Sequence, residues 1–329
     1  MKTRSLKEYL GISLRGILMG SADVVPGVSG GTIAFITGIY QELLDSISAI
    51  NLNAFRLLFK GRVSDFWKAI NGNFFLFLLF GISASIISLA SVLADIVGDP
   101  VETKEKILLW SFFFGLILAS SIYIGKQITK WNFKNILGLA LGTIIAFWIT
   151  IISPASGTDA SWYLFLAGFI AICAMILPGI SGSFILLLMG AYPIVLGSIS
   201  NLVEGIKVGD TAMLLDNGTI LSVFACGCIA GLLSFARLVS FLFKKYPGTT
   251  MAVLTGFLVG SLNKVWPWKE TLEYRINSHG ISIPYIQENQ MPDETGHIAM
   301  AILFTITGFI LVFGIEWLGE KMNKENKIN

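Results

Sequence analysis

The chain has 329 residues, of which 54% are hydrophobic and only 13% charged, and its mean hydropathy is +0.74. A soluble protein of this length needs far more charge to cover its surface, so the composition excludes one and implies a polytopic membrane protein. The formal net charge of +2 is too small to argue for a nucleic-acid partner.

In chain order, residues 1–10 are a basic, polar entry. Lys2, Arg4 and Lys7 resemble the start of a signal peptide, but Arg15 cuts the following apolar run and no small-residue cleavage site follows. Residues 11–22 are apolar but short, and then comes Asp23-Val24-Val25-Pro26-Gly27-Val28-Ser29-Gly30-Gly31-Thr32. Proline removes a backbone donor and glycine frees the backbone, so a helix breaks here. Neither arm around the break is a comfortable span of about 20 residues, which predicts a hairpin over 11–50 that dips in and returns. Residues 51–72 mix Phe55, Leu58, Phe59 and Trp67 with Arg56, Lys60, Arg62 and Lys68, the pattern of an interfacial amphipathic segment. Full spans follow near 73–95, 107–124 and 136–152, closing a first repeat over 1–152. A second repeat, 153–329, has the same plan: a hairpin over 162–200 and spans near 219–243, 250–266 and 298–318.

Loop charge tests this layout. The basic segments 1–10 and 51–72 flank the first hairpin and place both its ends in the cytoplasm. The loop at 96–106, with Asp99, Glu102 and Glu105, goes outside; the loop at 125–135, with Lys126, Lys130 and Lys134, goes inside. Residues 153–161 and 201–218 are acidic or neutral, so the second hairpin enters and leaves externally. Lys244 and Lys245 return inside, 267–297 is external, and the tail with Lys321, Lys324 and Lys327 ends inside. Both termini are thus expected in the cytoplasm. The alternation fits two short complete spans as well as a re-entrant hairpin, because both return the chain to the same side; the short arms favour the hairpin.

The second hairpin carries the same break. Met175-Ile176-Leu177-Pro178-Gly179-Ile180-Ser181-Gly182-Ser183 repeats the Pro-Gly-x-Ser-Gly order, and one offset also carries Gly16 onto Gly168, Gly38 onto Gly190 and Tyr40 onto Tyr192. With small shifts, Gly81 matches Gly227, Gly115 matches Gly256 and Ser120 matches Ser261. Three crossings per half is odd, which predicts two inverted-topology repeats in an all-α polytopic membrane protein, with the substrate site at the repeat interface. Packing of small residues accounts for the scattered glycines. It does not account for a proline, two glycines and a hydroxyl in one order at matched places.

A helix that restarts after each break exposes N–H groups and partial positive charge. Ser29, Thr32, Ser181 and Ser183 can cap that end or donate to a ligand, and Gly30, Gly31 and Gly182 let a bulky group approach. This is anion chemistry, suited to phosphate or carboxylate. Ionisable residues within the membrane are functional candidates. Arg15 either adds charge to an anion site or snorkels to the interface. Asp23 has an apolar counterpart, Met175; it is a candidate for H⁺ or Na⁺ coupling, or a partner of Arg15. Arg237 reads equally as a phosphate contact or as positive-inside anchoring. Cys173, Cys226 and Cys228 form no disulfide or zinc pattern, and His279 and His297 lie in or beside the external loop, so no catalytic set, metal site or cofactor motif is visible.

At these residues the chain resembles a bacterial membrane family associated with polyprenyl-phosphate (undecaprenyl-phosphate) translocation. The resemblance rests on Ala22-Asp23-Val24-Val25-Pro26-Gly27-Val28-Ser29-Gly30-Gly31-Thr32-Ile33-Ala34, on Gly38-Ile39-Tyr40 and on the second motif. It implies a plasma-membrane flippase that returns the lipid carrier of cell-wall assembly from the outer to the cytoplasmic leaflet. On that reading Pro26, Gly27, Ser29, Gly30, Gly31, Thr32, Pro178, Gly179, Ser181, Gly182, Ser183 and Arg15 hold the headgroup, the partners are that lipid, membrane lipids and a coupling H⁺ or Na⁺, a homodimer is conceivable, and no cofactor or metal is needed. The motif is also similar to the Ser-Gly-rich segment of the undecaprenyl-diphosphate phosphatases. In those a His follows the Ser-Gly, whereas Gly31 and Ser183 stand there in this chain. A carrier of a small soluble anion is the third alternative.

Overall fold

The computed structural model describes residues 4–24, 29–98, 103–152, 157–276, 282–292 and 295–328. Helices α1 (Leu6–Val24), α2 (Gly30–Ile36) and α3 (Tyr40–Ser48) come first. Next are the short helices α4 (Leu52–Phe59) and α5 (Val63–Ala69), followed by the long helices α6 (Gly72–Gly98), α7 (Lys104–Gln127) and α8 (Phe133–Ile151). The second part runs α9 (Ser161–Ile176), α10 (Gly182–Leu188), α11 (Tyr192–Val208), α12 (Thr211–Lys245) and α13 (Pro247–Ser261). Strands β1 (Lys269–Ile276) and β2 (Ser282–Asn289) precede α14 (Thr295–Ile328).

Polar caps set the helix starts. Asn51, Thr103, Asn132 and Asp210 each accept a backbone N–H from the first turn of α4, α7, α8 and α12, satisfying donors that the helix itself leaves unpaired. Among the described residues four helical segments are long and apolar enough to cross a membrane: Lys104–Gln127, Phe133–Ile151, Thr211–Lys245 and His297–Gly314. The number rises to six if two bent pairs, Val63–Ala69 with Gly72–Ser88 and Gly182–Leu188 with Tyr192–Val208, each count as one span. This is a mainly helical, polytopic membrane protein. On α4 and α5, Leu52 and Phe59 are exposed beside Arg56, Lys60 and Arg62, which suits a position at the lipid surface.

Glycines let the long helices touch backbone to backbone, as small residues do within membranes. A Cβ on Gly16 of α1 would strike the Leu78 carbonyl of α6, and one on Gly81 the Ser13 carbonyl of α1. Gly168 and Gly227 stand in the same relation to Phe224 and Phe165 across α9 and α12. The remaining contacts cross between the two parts. Gly115 meets the Thr305 carbonyl and Gly308 the Phe112 carbonyl, joining α7 to α14; Gly142 meets Val253 and Gly256 meets Leu139, joining α8 to α13.

The structure departs from the sequence reading in several places. The first arm is a 19-residue helix, because residues 6–10 are helical too; at about 1.5 Å per residue it approaches the hydrocarbon thickness. The short element is instead the seven-residue α2, matched by the seven-residue α10. Each ends at a glycine with positive φ, Gly38 at 73° and Gly190 at 66°, and α10 and α11 meet at a bend of 105°. Helix α13 stops at Ser261 rather than running on to 266, since residues 262–265 form a turn. The segment read as a plain external loop holds the antiparallel pair β1–β2, which runs from Lys269↔Asn289 to Ile276↔Ser282 with a break in register around Glu273. Trp266 Nε1 donates to the Gln290 carbonyl (2.8 Å), and Asn289 Nδ2 donates to Asn263 Oδ1 (2.9 Å), fastening the strands to the end of α13.

Candidate functional site

The two breaks meet. Thr32 Oγ1, on α2, accepts the backbone N–H of Gly179 in the second break at 2.9 Å. Ser29 Oγ lies 3.4 Å from both the Met175 and Leu177 carbonyl oxygens, to either of which it can donate. A Cβ on Gly31 would stand 2.9 Å from the Met175 oxygen and 3.0 Å from that of Ile176. Gly31 is therefore small because another backbone passes directly over it. Ser29 and Thr32 are buried, as are Gly30, Gly31, Pro178, Gly179, Ser181 and Gly182, while Ser183 is half-buried. Pro26 and Gly27 fall outside the described residues.

The two short helices start differently. At α2 the protein answers its own donors. The Gly30 N–H goes to Asp23 Oδ1 at 2.7 Å, the Gly31 N–H to Ser29 Oγ at 3.1 Å and the Thr32 N–H to the Ser29 carbonyl at 2.9 Å. At α10 the Phe184 N–H reaches Ser181 Oγ at 3.4 Å, and Ser181 Oγ and Ser183 Oγ lie 3.0 Å apart. The Gly182 and Ser183 N–H groups make no hydrogen bond among the described residues. With seven residues each, α2 and α10 are two turns long, so local N–H and hydroxyl groups, rather than a long helix dipole, make up the polar surface. Gly179, at φ 85°, presses on the end of α13, where a Cβ would meet the Phe257 carbonyl at 2.8 Å and Ser261 Oγ at 3.0 Å.

Of the charged candidates, Asp23 reaches the site through Gly30, while the contacts of Arg15 and Arg237 lie elsewhere. Arg15 lies two turns before Asp23 on α1 and makes no ion pair with it; the charges that act on Arg15 are those of Arg4 and Glu42. Arg4 forms a two-pronged pair with Glu42 (2.5 and 2.6 Å), which also accepts from Asn71 Nδ2 (3.0 Å). Arg237 donates to the Ile50 carbonyl at 2.7 Å, just past the end of α3. Asp45 accepts from Ser240 Oγ (2.5 Å) and Lys244 (2.8 Å). Helix α3 is thus tied to α12 by polar contacts well away from the breaks.

Lys264 was missed from sequence. It lies in the turn after α13, and its Nζ is 4.2 Å from the centroid of the Phe184 ring on α10. The signal was present: a lone lysine inside the apolar run 250–266. Its main chain is held at both ends, the N–H by the Ser261 carbonyl (2.9 Å) and the carbonyl by Lys269 Nζ (2.7 Å).

A family profile described as undecaprenyl phosphate translocase-like matches residues 19–283, a range that includes both breaks. The chain is 42% identical over 321 residues to the polyprenyl-phosphate transporter of Vibrio cholerae serotype O1, covering 95% of this chain and 98% of that protein. It is 31% identical over 266 residues to the polyprenyl-phosphate transporter of Staphylococcus aureus, covering 77% of this chain and 85% of the other. No solved structure matches it. With likeness running over nearly its whole length, the chain belongs to the undecaprenyl phosphate translocase-like family.

Proposed function

We propose that this protein carries polyprenyl phosphate across the bacterial plasma membrane, returning undecaprenyl phosphate from the outer to the cytoplasmic leaflet. Its relatives in Vibrio cholerae and Staphylococcus aureus bear the name of polyprenyl-phosphate transporters. The observation that carries the reading is the bond from Gly179 to Thr32, which ties the two breaks together among three buried hydroxyls, with the half-buried Ser183 beside Ser181. A phosphate held by N–H and O–H groups needs little formal charge within the bilayer, where an isolated charge is costly.

In this scheme the halves are inverted copies that rock about the contacts of α7 with α14 and α8 with α13, and both termini face the cytoplasm. The headgroup lies between Ser29, Thr32, Ser181 and Ser183, and the polyprenyl tail stays in lipid. Asp23 supplies the coupling. Its carboxylate holds the Gly30 N–H at 2.7 Å, so a phosphate that takes this donor releases a carboxylate that must then bind H⁺ or Na⁺. The test is to reconstitute purified protein in liposomes and follow transbilayer movement of a fluorescent polyprenyl phosphate. Movement no faster than in protein-free liposomes overturns the proposal, and release of inorganic phosphate from the diphosphate lipid would replace it with a phosphatase.

A further inference from the structure

The repeat places one ionisable residue beside each break, with opposite sign. The register that matches Gly115 with Gly256 and Ser120 with Ser261 carries Tyr123 onto Lys264, and the register of the breaks carries Asp23 onto Met175. One half therefore contributes a carboxylate and no ammonium, the other an ammonium and no carboxylate. Asp23 is used within the protein, as the acceptor for Gly30. Lys264 has no such partner: among the described residues its ammonium makes no hydrogen bond or ion pair, and meets only the face of Phe184 at 4.2 Å. Two other lysines near this end of the bundle are better placed. Lys269 donates to the Lys264 carbonyl at 2.7 Å and covers Trp110, and Lys106 also has a partner.

An ammonium inside a membrane protein costs free energy unless an anion pairs with it. A ring face compensates only part of that cost. The backbone path leads back to the second break: Lys264 is bonded through its N–H to Ser261, Ser261 borders Gly179, and the ring beneath the ammonium belongs to Phe184, whose own N–H goes to Ser181. The ammonium thus sits beside α10, where the Gly182 and Ser183 N–H groups have no acceptor among the described residues.

We propose that Lys264 is the cation that binds the phosphate monoester of the substrate, next to Ser181 and Ser183. This rests on the headgroup reading above and adds to it the residue that supplies formal charge. A lysine, as a mobile point charge, can follow a headgroup that enters and leaves, whereas a two-pronged arginine would fix it in one orientation.

The test is calorimetric titration of the detergent-solubilised full chain with farnesyl phosphate and, separately, with inorganic phosphate. Lys264→Gln should weaken binding by roughly tenfold or more, the loss expected for one charge-assisted contact, and Lys264→Arg should retain most of it. Without ligand, the melting temperature of Lys264→Gln should be no lower than that of the wild type, since an unpaired charge has been removed. Binding of both probes assigns the site to phosphate in general; binding of farnesyl phosphate alone assigns it to the lipid headgroup. Unchanged affinity in Lys264→Gln overturns the role of the lysine and leaves the transport reading standing. A wild type that binds neither probe overturns the headgroup reading and the lysine with it. If Lys264→Gln and Lys264→Met both melt well below the wild type, Lys264 is a structural residue and the proposal fails.

Discussion

Thr32→Val removes one oxygen at the point where the two breaks join. Thr32 is fully buried, and its Oγ1 accepts the Gly179 N–H at 2.9 Å. Valine keeps the shape and the branched Cβ but leaves that buried N–H without its acceptor. The cost of a buried donor left unpaired is about 1–3 kcal/mol. Much of this falls on the local opening of the second break, because Gly179 is held on its other side only by packing against α13. The Gly179 amide should then exchange with solvent roughly 5- to 150-fold faster, the equilibrium equivalent of that cost. Thr32→Ser keeps the hydroxyl and should exchange close to the wild-type rate. Hydrogen-exchange mass spectrometry of the peptide spanning residues 177–181 reads this directly, and the liposome assay reads transport on the same samples. The reasoning is refuted if Thr32→Val exchanges like the wild type, or if Thr32→Ser is as damaged as Thr32→Val.

Other expectations concern the helix contacts and the charges. Gly115→Ala should destabilise by about 1–3 kcal/mol, because its methyl meets the Thr305 backbone rather than a movable side chain. Gly308→Ala acts on the same contact, so in thermal unfolding the double variant should lose less than the sum of the two. Asp23→Asn keeps an oxygen for the Gly30 N–H and removes the charge; transport should lose its dependence on pH or Na⁺ with the melting temperature intact, and full retention of that dependence would end the coupling role. Lys244→Ala breaks an ion pair in which both side chains are well exposed; it should cost no more than about 1 kcal/mol, and a shift of the melting midpoint beyond ~4 °C would contradict this.

The long helices were legible because nothing else fits runs without charge, and glycines such as Gly16, Gly81 and Gly115 were legible as positions of close helix packing. Their partners across the bundle were not, since sequence says that Gly115 and Gly256 correspond but not that they meet Thr305 and Leu139. Helix α12 begins at Thr211, earlier than the apolar run beginning near 219, because Asp210 caps it and the helix continues through Asp216, Asn217 and Gly218. The reverse error occurs at α13, where Leu262, Val265 and Trp266 keep the hydropathy high past the point at which the helix stops. Hydropathy measures where side chains prefer to be, and it is blind to whether the backbone under them is a helix or a turn. The same averaging hid Lys264, one cation among apolar neighbours.

At the site itself, the breaks and their hydroxyls were legible, and the difference between them was only half visible. Asp23 against Met175 showed in the repeat, but its consequence needed the bond to Gly30. If the halves are inverted copies, a symmetric chain would offer the same donors from both faces and bind a headgroup equally well from either leaflet. Here one helix start already holds an internal carboxylate, while at the other the first N–H groups have no partner among the described residues and an ammonium lies nearby. On the proposed reading, a phosphate approaching the second break would meet donors ready to bind it, whereas one approaching the first would have to displace Asp23 from Gly30 and pay for the displaced charge with a proton or a cation. On that same reading, the difference would give the transport cycle a step that an ion gradient can drive, carried by two residues, Asp23 and Lys264, that have no counterpart in the other half, rather than by the motif the halves share.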